Sequence, residues 1–301
     1  MSTRTRPGVT VAILAATAFV VCAPSLLSQE VGQQTGQYRS RILLDPQGEI
    51  GTGSELSIGE LEAEIDGIVD PYARSSATRH LARHYVQQED YASALNWYRE
   101  ALAADGLSPV ANREMLREMA QVYLLDGQYA EAARTLEQAL AIALAPDAGD
   151  YLLLAQALYR QSDYVGVVTA LDGIRAAGLT LDAQQKRQAL ALYYRAGAFE
   201  QCEPLLRALQ AEFPSEPGYW HQLASVYLQQ NKRREAMDQL VLAREKGIPF
   251  TRDEMLLLVD LLAVNGNPYG AAQALEQAIA AETLPRDAAT QRKLFELWLQ
   301  A

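Results

Sequence analysis

At 301 residues the chain is long enough for two ordinary domains. Apolar residues make up 49% of it, and 37 acidic against 26 basic side chains leave a net charge of −11. That balance argues against nucleic acid or an anionic membrane surface as a main partner, because both demand a basic face.

Residues 1–28 read as a secretory signal. Arg4 and Arg6 give a positive start, and Val9–Val21 is an uncharged apolar run of 13 residues. Ala23-Pro24-Ser25 offers small residues for cleavage after Ser25, with Ser28 as the competing site. The run is shorter than the roughly 20 residues of a spanning helix, so contact with a membrane is expected only if this segment stays uncleaved. Cys22 follows Val21 rather than a small residue, which argues against lipidation. With the signal removed, Cys202 would be the sole thiol, leaving packing rather than an internal disulfide to hold the fold.

Residues 29–55 carry five Gln and five Gly without helical period and read as a flexible lead-in. An N-terminal helix is expected over 56–74, opened by Ser57 with Glu60 three residues on and striped by Leu61, Ile65, Ile68 and Val69. Asp70-Pro71, Ser108-Pro109, Asp182 with Gln185, and Thr251 with Glu254 are further helix starts.

From 75 to 285 one pattern recurs. In Tyr219–Ala243, Trp220, Leu223, Ala224 and Tyr227 share one helix face, a polar break follows, and Ala236, Leu240 and Ala243 line a second helix. Equivalent sets are Leu81, Ala82, Tyr85, Ala94, Tyr98 and Ala101, then Met119, Ala120, Tyr123, Ala132, Leu136 and Ala139. Leu154, Ala155, Leu158, Val167, Leu171 and Ile174 follow, then Ala189, Leu190, Tyr193, Cys202, Leu206 and Leu209. The last set is Leu258, Val259, Leu262, Ala271, Leu275 and Ala278. The turn residues Tyr91, Tyr129, Tyr164, Phe199, Arg233 and Pro268 are spaced by 38, 35, 35, 34 and 35 positions. This order, W-x2-L-A-x2-Y then A-x3-L-x2-A, resembles the tetratricopeptide repeat. The resemblance implies an all-α, right-handed superhelical solenoid of about six helix-turn-helix repeats, with an extra N-terminal helix and a C-terminal capping helix over 286–301. Leu294, Phe295, Trp298 and Leu299 stripe that last helix, and Phe295 and Trp298 are expected to remain partly exposed as a partner contact.

Catalytic chemistry finds little footing. No Gly-rich phosphate loop, Ser nucleophile elbow or CxxC is present, and the carboxylates are scattered, so an enzyme and a cofactor are not expected. Cys202 occupies a small-residue core position and reads as a hydrophobe. His80 and His84 stand one helical turn apart, a spacing that can hold a metal, but no HExxH pattern or neighbouring carboxylate completes a site, and a metal-binding protein remains a remote alternative.

First helices should line the inner surface of such an array. Arg79, Arg83, Arg117, Gln121, Gln156, Tyr159, Arg187, Tyr194, His221 and Leu228 are expected there, a locally basic and aromatic groove suited to an acidic or C-terminal peptide of a protein partner. The stretches YLLLAQALYRQSDY, GYWHQLASVYLQQN and LLAVNGNPYGAAQALEQAI are similar to an exported repeat family linked to the TonB system, over roughly Tyr72 to the C-terminus. Tyr219-Trp220 and Pro268-Tyr269 match recurrent pairs of that family, whereas 29–55 has no counterpart. The resemblance implies a periplasmic scaffold beside TonB, ExbB and ExbD, with components of an envelope complex as partners and no small-molecule substrate. Adaptors in secretion, pilus or cell-wall assembly are the alternative.

Overall fold

The computed structural model describes residues 57–142 and 146–301. The signal segment expected over 1–28 and the lead-in expected over 29–55 lie outside the described residues. The rest is an all-α solenoid, with no strand among the described residues. It opens with α1 (Ile58–Glu64), whose Ser57 backbone N–H donates to Glu60 Oε2 at 2.8 Å while Glu60 N–H donates to Ser57 Oγ at 3.4 Å. A turn of 3-10 helix, Ile65–Gly67, and an extended Ile68 then break the chain direction. The helix expected over 56–74 is therefore not one element. Its last residues already belong to α2, because Asp70 accepts from Ala73 N–H at 2.8 Å and caps a new helix at Pro71.

Six hairpins follow: α2 (Pro71–Gln87) with α3 (Tyr91–Ala103), α4 (Pro109–Leu125) with α5 (Tyr129–Ala141), and α6 (Ala148–Arg160) with α7 (Tyr164–Ala176). Next are α8 (Ala183–Arg195) with α9 (Phe199–Glu212), α10 (Pro217–Gln229) with α11 (Arg233–Glu245), and α12 (Arg252–Val264) with α13 (Pro268–Ala280). α14 (Ala288–Gln300) ends the chain. Capping boxes at Asp182/Gln185 and Thr251/Glu254, and the Ser108 cap on Ala111 N–H, start α8, α12 and α4. The main packing partners of each helix are its neighbours in sequence, supplemented by contacts between successive first helices α4, α6 and α8. No helix of the described residues is long and apolar enough to cross a membrane.

The periodic residues form the seams. Leu81, Ala82, Ala94, Tyr98, Tyr123, Ala132, Ala155, Trp220, Ala224, Tyr227 and Ala236 are buried, and Tyr85 is half-buried. Alanines let the two helices of a hairpin approach, and burial of the larger side chains around them supplies the apolar driving force. Gly173 does the same for α7, since a Cβ there would lie 2.7 Å from the Tyr151 ring of α6.

A polar ladder runs beside this apolar seam. The Tyr123 hydroxyl accepts from Arg99 at 3.1 Å, the Tyr193 hydroxyl donates to Asp172 at 3.0 Å, and the Tyr227 hydroxyl accepts from Arg207 at 2.7 Å while donating to Glu203 at 2.9 Å. Arg99, Asp172 and Arg207 each stand eight residues into the second helix of the preceding hairpin. Tyr85 makes the corresponding bond to Glu62 of α1. α1 thus takes the place of a preceding second helix, and these four buried or half-buried phenols each find a partner across their seam.

A second rung uses amides. Gln161 donates to Tyr129 O at 3.1 Å and Gln230 to Phe199 O at 3.0 Å, each tying the end of a first helix to the start of the previous second helix. The same register after α8 is Ala196, which has no such group. A cleft of about 570 Å3 opens there, lined by Tyr164, Val165, Val168 and Phe199. Ala196→Gln is expected to bridge this seam and raise stability by about 0.5–1 kcal/mol. Urea unfolding measured against the parent chain checks it, and an unchanged midpoint would count against the rung as a stabilising device.

Candidate partner groove

A concavity of about 900 Å3 lies across α4, α6 and α8. Arg117 and Gln121 enter from α4, Leu152, Leu153, Gln156, Tyr159 and Arg160 from α6, and Gln184, Gln185, Gln188, Leu192 and Arg195 from α8 with its cap Asp182. Successive first helices set side by side at one register produce this lining. Gln121, Gln156 and Gln188 expose carboxamides that carry both donors and an acceptor. Such groups match the alternating N–H and C=O of an extended main chain.

The two ends of the groove differ in charge. At the start of α6, Arg117 donates to Asp147 Oδ2 at 2.7 Å and lies 3.4 Å from Asp150 Oδ1, with Arg113 at 3.8 Å from Asp150 Oδ2. Asp150 is buried and neither of its oxygens accepts a hydrogen bond; burial pushes its carboxyl upward against the pull of Arg117 and Arg113. Asp147 is held below the usual carboxylate range, first by the Gly149 N–H and then by Arg117. This end is internally neutralised.

The other end is not. Arg195 stacks over Tyr159 with its guanidinium carbon 5.6 Å from the ring centroid, and Arg160 lies over Tyr129 at 5.8 Å. Both arginines are exposed, and no carboxylate among the described residues pairs with either. A guanidinium pre-oriented on an aromatic face and lacking an internal anion presents a forked donor to an incoming carboxylate.

Of the residues expected in the groove, Arg117, Gln121, Gln156 and Tyr159 come together here. Arg79 and Arg83 do not line it. Both grip Glu118 in α4: Arg79 donates at 2.7 and 3.2 Å, and Arg83 at 2.6 and 3.2 Å. The Tyr98 hydroxyl donates to the same carboxylate at 3.1 Å. Arg187 is exposed on α8, 5.9 Å from the Phe213 ring and 3.4 Å from the Tyr219 hydroxyl. Tyr194 packs edge-on against Phe199 at 5.4 Å. His221 Nε2 sits 3.0 Å from Pro249 O and 3.6 Å from Glu254, with the Phe250 ring at 4.6 Å, so it belongs to the seam between α10 and α12. Arg160 and Arg195 were the residues sequence reasoning passed over. Their signal was register: each closes a first helix, 35 positions apart.

Elsewhere, Cys202 is buried, donates to Ala198 O at 3.4 Å, and has its thiol pushed up to about 12 by burial, the condition of a core thiol. His84 Nε2 is 2.7 Å from the Gln88 side-chain amide, and among the described residues no group of three or more His, Cys, Asp or Glu is placed to hold a metal ion.

Residues 77–109 and 116–148 match the tetratricopeptide repeat family model. These two units are tetratricopeptide repeats, and the later hairpins continue their packing. No curated protein matches the chain. Among solved structures it is similar to a chain in Naa15/Naa10 bound to HypK-THB, with a TM-score of 0.53 and 14% identity over 74% of this chain and 33% of that one. A tetratricopeptide repeat protein from Parabacteroides merdae gives a TM-score of 0.43 at 15% identity, covering 80% of this chain and 91% of that one. YrrB, a repeat protein described as having an unusual peptide-binding site, gives 0.47 at 17% identity, covering 63% and 93%. These likenesses concern the fold.

Proposed function

We propose that this repeat array is a periplasmic interaction scaffold, accessory to a TonB–ExbB–ExbD type of energy transduction for outer-membrane uptake, and that it takes an extended acidic segment of a partner protein into the α4–α6–α8 groove. The observation that carries the binding reading is the pairing of exposed glutamine amides with two aromatic-stacked arginines, Arg160 and Arg195, that have no counter-ion among the described residues. Main-chain recognition by the amides and carboxylate recognition by the arginines together favour a peptide over a small metabolite. The signal-like leader and the similarity of Tyr219-Trp220 and Pro268-Tyr269 to the TonB-linked family support the assignment of compartment and system.

The test is capture from envelope extracts, probed for TonB, ExbB and ExbD, with the parent chain and with Arg160→Glu/Arg195→Glu. The parent is expected to recover these components. The variant should recover about tenfold less or lower, with unchanged helicity, because like charge now faces the ligand's carboxylate. Recovery of secretion or pilus components instead would transfer the scaffold to that system. Equal capture by the variant would remove the groove as the site.

A further inference from the structure

One seam of the array stands open beside the groove. Gln161 and Gln230 each close their seam by donating to the first residue of the previous second helix, and Ala196 occupies that register between them. With no amide there to reach Tyr164 O, the start of α7 and the α8–α9 turn enclose the cleft of about 570 Å3 instead of a hydrogen bond. Its walls are largely apolar: Tyr164, Val165 and Val168 of α7 on one side, Ala196, Ala198 and Phe199 on the other. Tyr164 is 46% exposed and Val165 78%, so water covers apolar surface that a ligand could shield.

This cleft adjoins the groove. Arg195, which lines the groove, is followed directly by Ala196, which lines the cleft. Tyr159 of the groove and Tyr164 of the cleft have ring centroids 6.0 Å apart, so one pair of rings forms the ridge between the two hollows. Arg195 lies over Tyr159 on the groove side of that ridge. The charge changes sign across it. Arg160 and Arg195 have no carboxylate partner among the described residues, whereas the exposed Glu200 lines the cleft and Asp163 caps α7 beside it. An acidic side chain is attracted on the first side and repelled on the second, where an uncharged apolar one gains by leaving water.

We infer that the segment bound in the groove is bipartite: acidic residues meet Arg160 and Arg195, and one large apolar side chain close to them in sequence crosses the tyrosine ridge and fills the cleft as an anchor. This deepens the α4–α6–α8 reading and depends on it. An extended chain advances about 3.3 Å per residue, so two or three residues suffice to pass a ridge of that size.

Fluorescence anisotropy with synthetic peptides tests the anchor. The probe is a labelled peptide of four glutamates, two glycines and a terminal phenylalanine, made in both sequence orders, with a serine in place of the phenylalanine as its counterpart. In one order the phenylalanine peptide should bind the parent chain about tenfold more tightly than the serine peptide, the return on burying most of one large apolar side chain. Ala196→Gln, which bridges the seam, and Val165→Gln, which sets an amide on the apolar wall, should each erase that advantage and leave the affinity for the serine peptide unchanged. Neither position is buried, so helicity should be retained in both. Arg160→Glu/Arg195→Glu should weaken every peptide. Equal binding of phenylalanine and serine peptides in both orders, or an advantage that survives in either cleft variant, would overturn the anchor and leave the groove reading standing. Failure of all the acidic peptides to bind the parent would remove the groove reading and the anchor with it.

Discussion

Glu118→Gln is expected to destabilise the chain by about 2–4 kcal/mol, the larger figures applying to a fully buried pair and the smaller to the exposure of Arg83. One carboxylate serves Arg79, Arg83 and the Tyr98 hydroxyl, and Arg79 is 8% exposed. The amide would keep one acceptor and set its NH2 against two guanidinium groups, stranding a cation that water barely reaches. The pH dependence follows from the carboxyl. Burial alone would raise its pKa, but the hydrogen bonds and charges of Arg83 and Arg79 outweigh that and hold it below the usual range. A carboxyl depressed in the folded state adds stability that is complete above its unfolded pKa and is lost as pH falls through its folded value. The gap between parent and variant should therefore close on acidification below about pH 4. Urea unfolding at a series of pH values, with hydrogen exchange read over α2–α4, measures both effects. A gap that persists at low pH would mean the ion cluster is not its source.

Gly106→Ala should cost about 3 kcal/mol. A Cβ at Gly106 would fall 2.1 Å from Pro71 O and 2.4 Å from Tyr72 N, backbone atoms of a capped helix start that cannot step aside. The close approach is also bonded: Gly106 N–H donates to Ser75 Oγ at 3.1 Å, and Ser75 Oγ donates to Ala101 O at 2.9 Å. Together these lay the α3–α4 connection on the start of α2 and so set the second hairpin against the first. Gly59→Ala is the control. Nothing lies within 4 Å of its Cβ position, the backbone is helical, and stability should rise by a fraction of a kcal/mol to about 1 kcal/mol. Thermal melts of the two variants should move in opposite directions; equal shifts would remove the backbone clash as the cause.

The hairpins were legible because their signals are local. Caps such as Asp70, Ser108, Asp182 and Thr251 act within three residues of themselves, and alanines recurring near every 35 positions mark where two helices must touch. The groove was legible in its middle and at its Arg117 end, but not where Arg160 and Arg195 close it. Gln156 and Tyr159 sit on the exposed side of a first helix and were assigned by face alone. Arg79 and Arg83 occupy equivalent faces, yet they are spent on a carboxylate 39 and 35 residues away, one repeat further on. Helix periodicity says which way a side chain leans but not whether the adjoining repeat answers it. Reading charges across the 35-residue register, rather than along one helix, would have exposed both that cluster and the tyrosine ladder.

Because each helix leans chiefly on its immediate neighbours, strain applied at one hairpin is shared by the next and fades along the array. A small rotation at every seam adds up to a large change in the distance between first and last repeats, at little cost in any single contact. Such an array is expected to answer a pull at its ends as a spring rather than a rigid mould, lengthening under load and shortening on release.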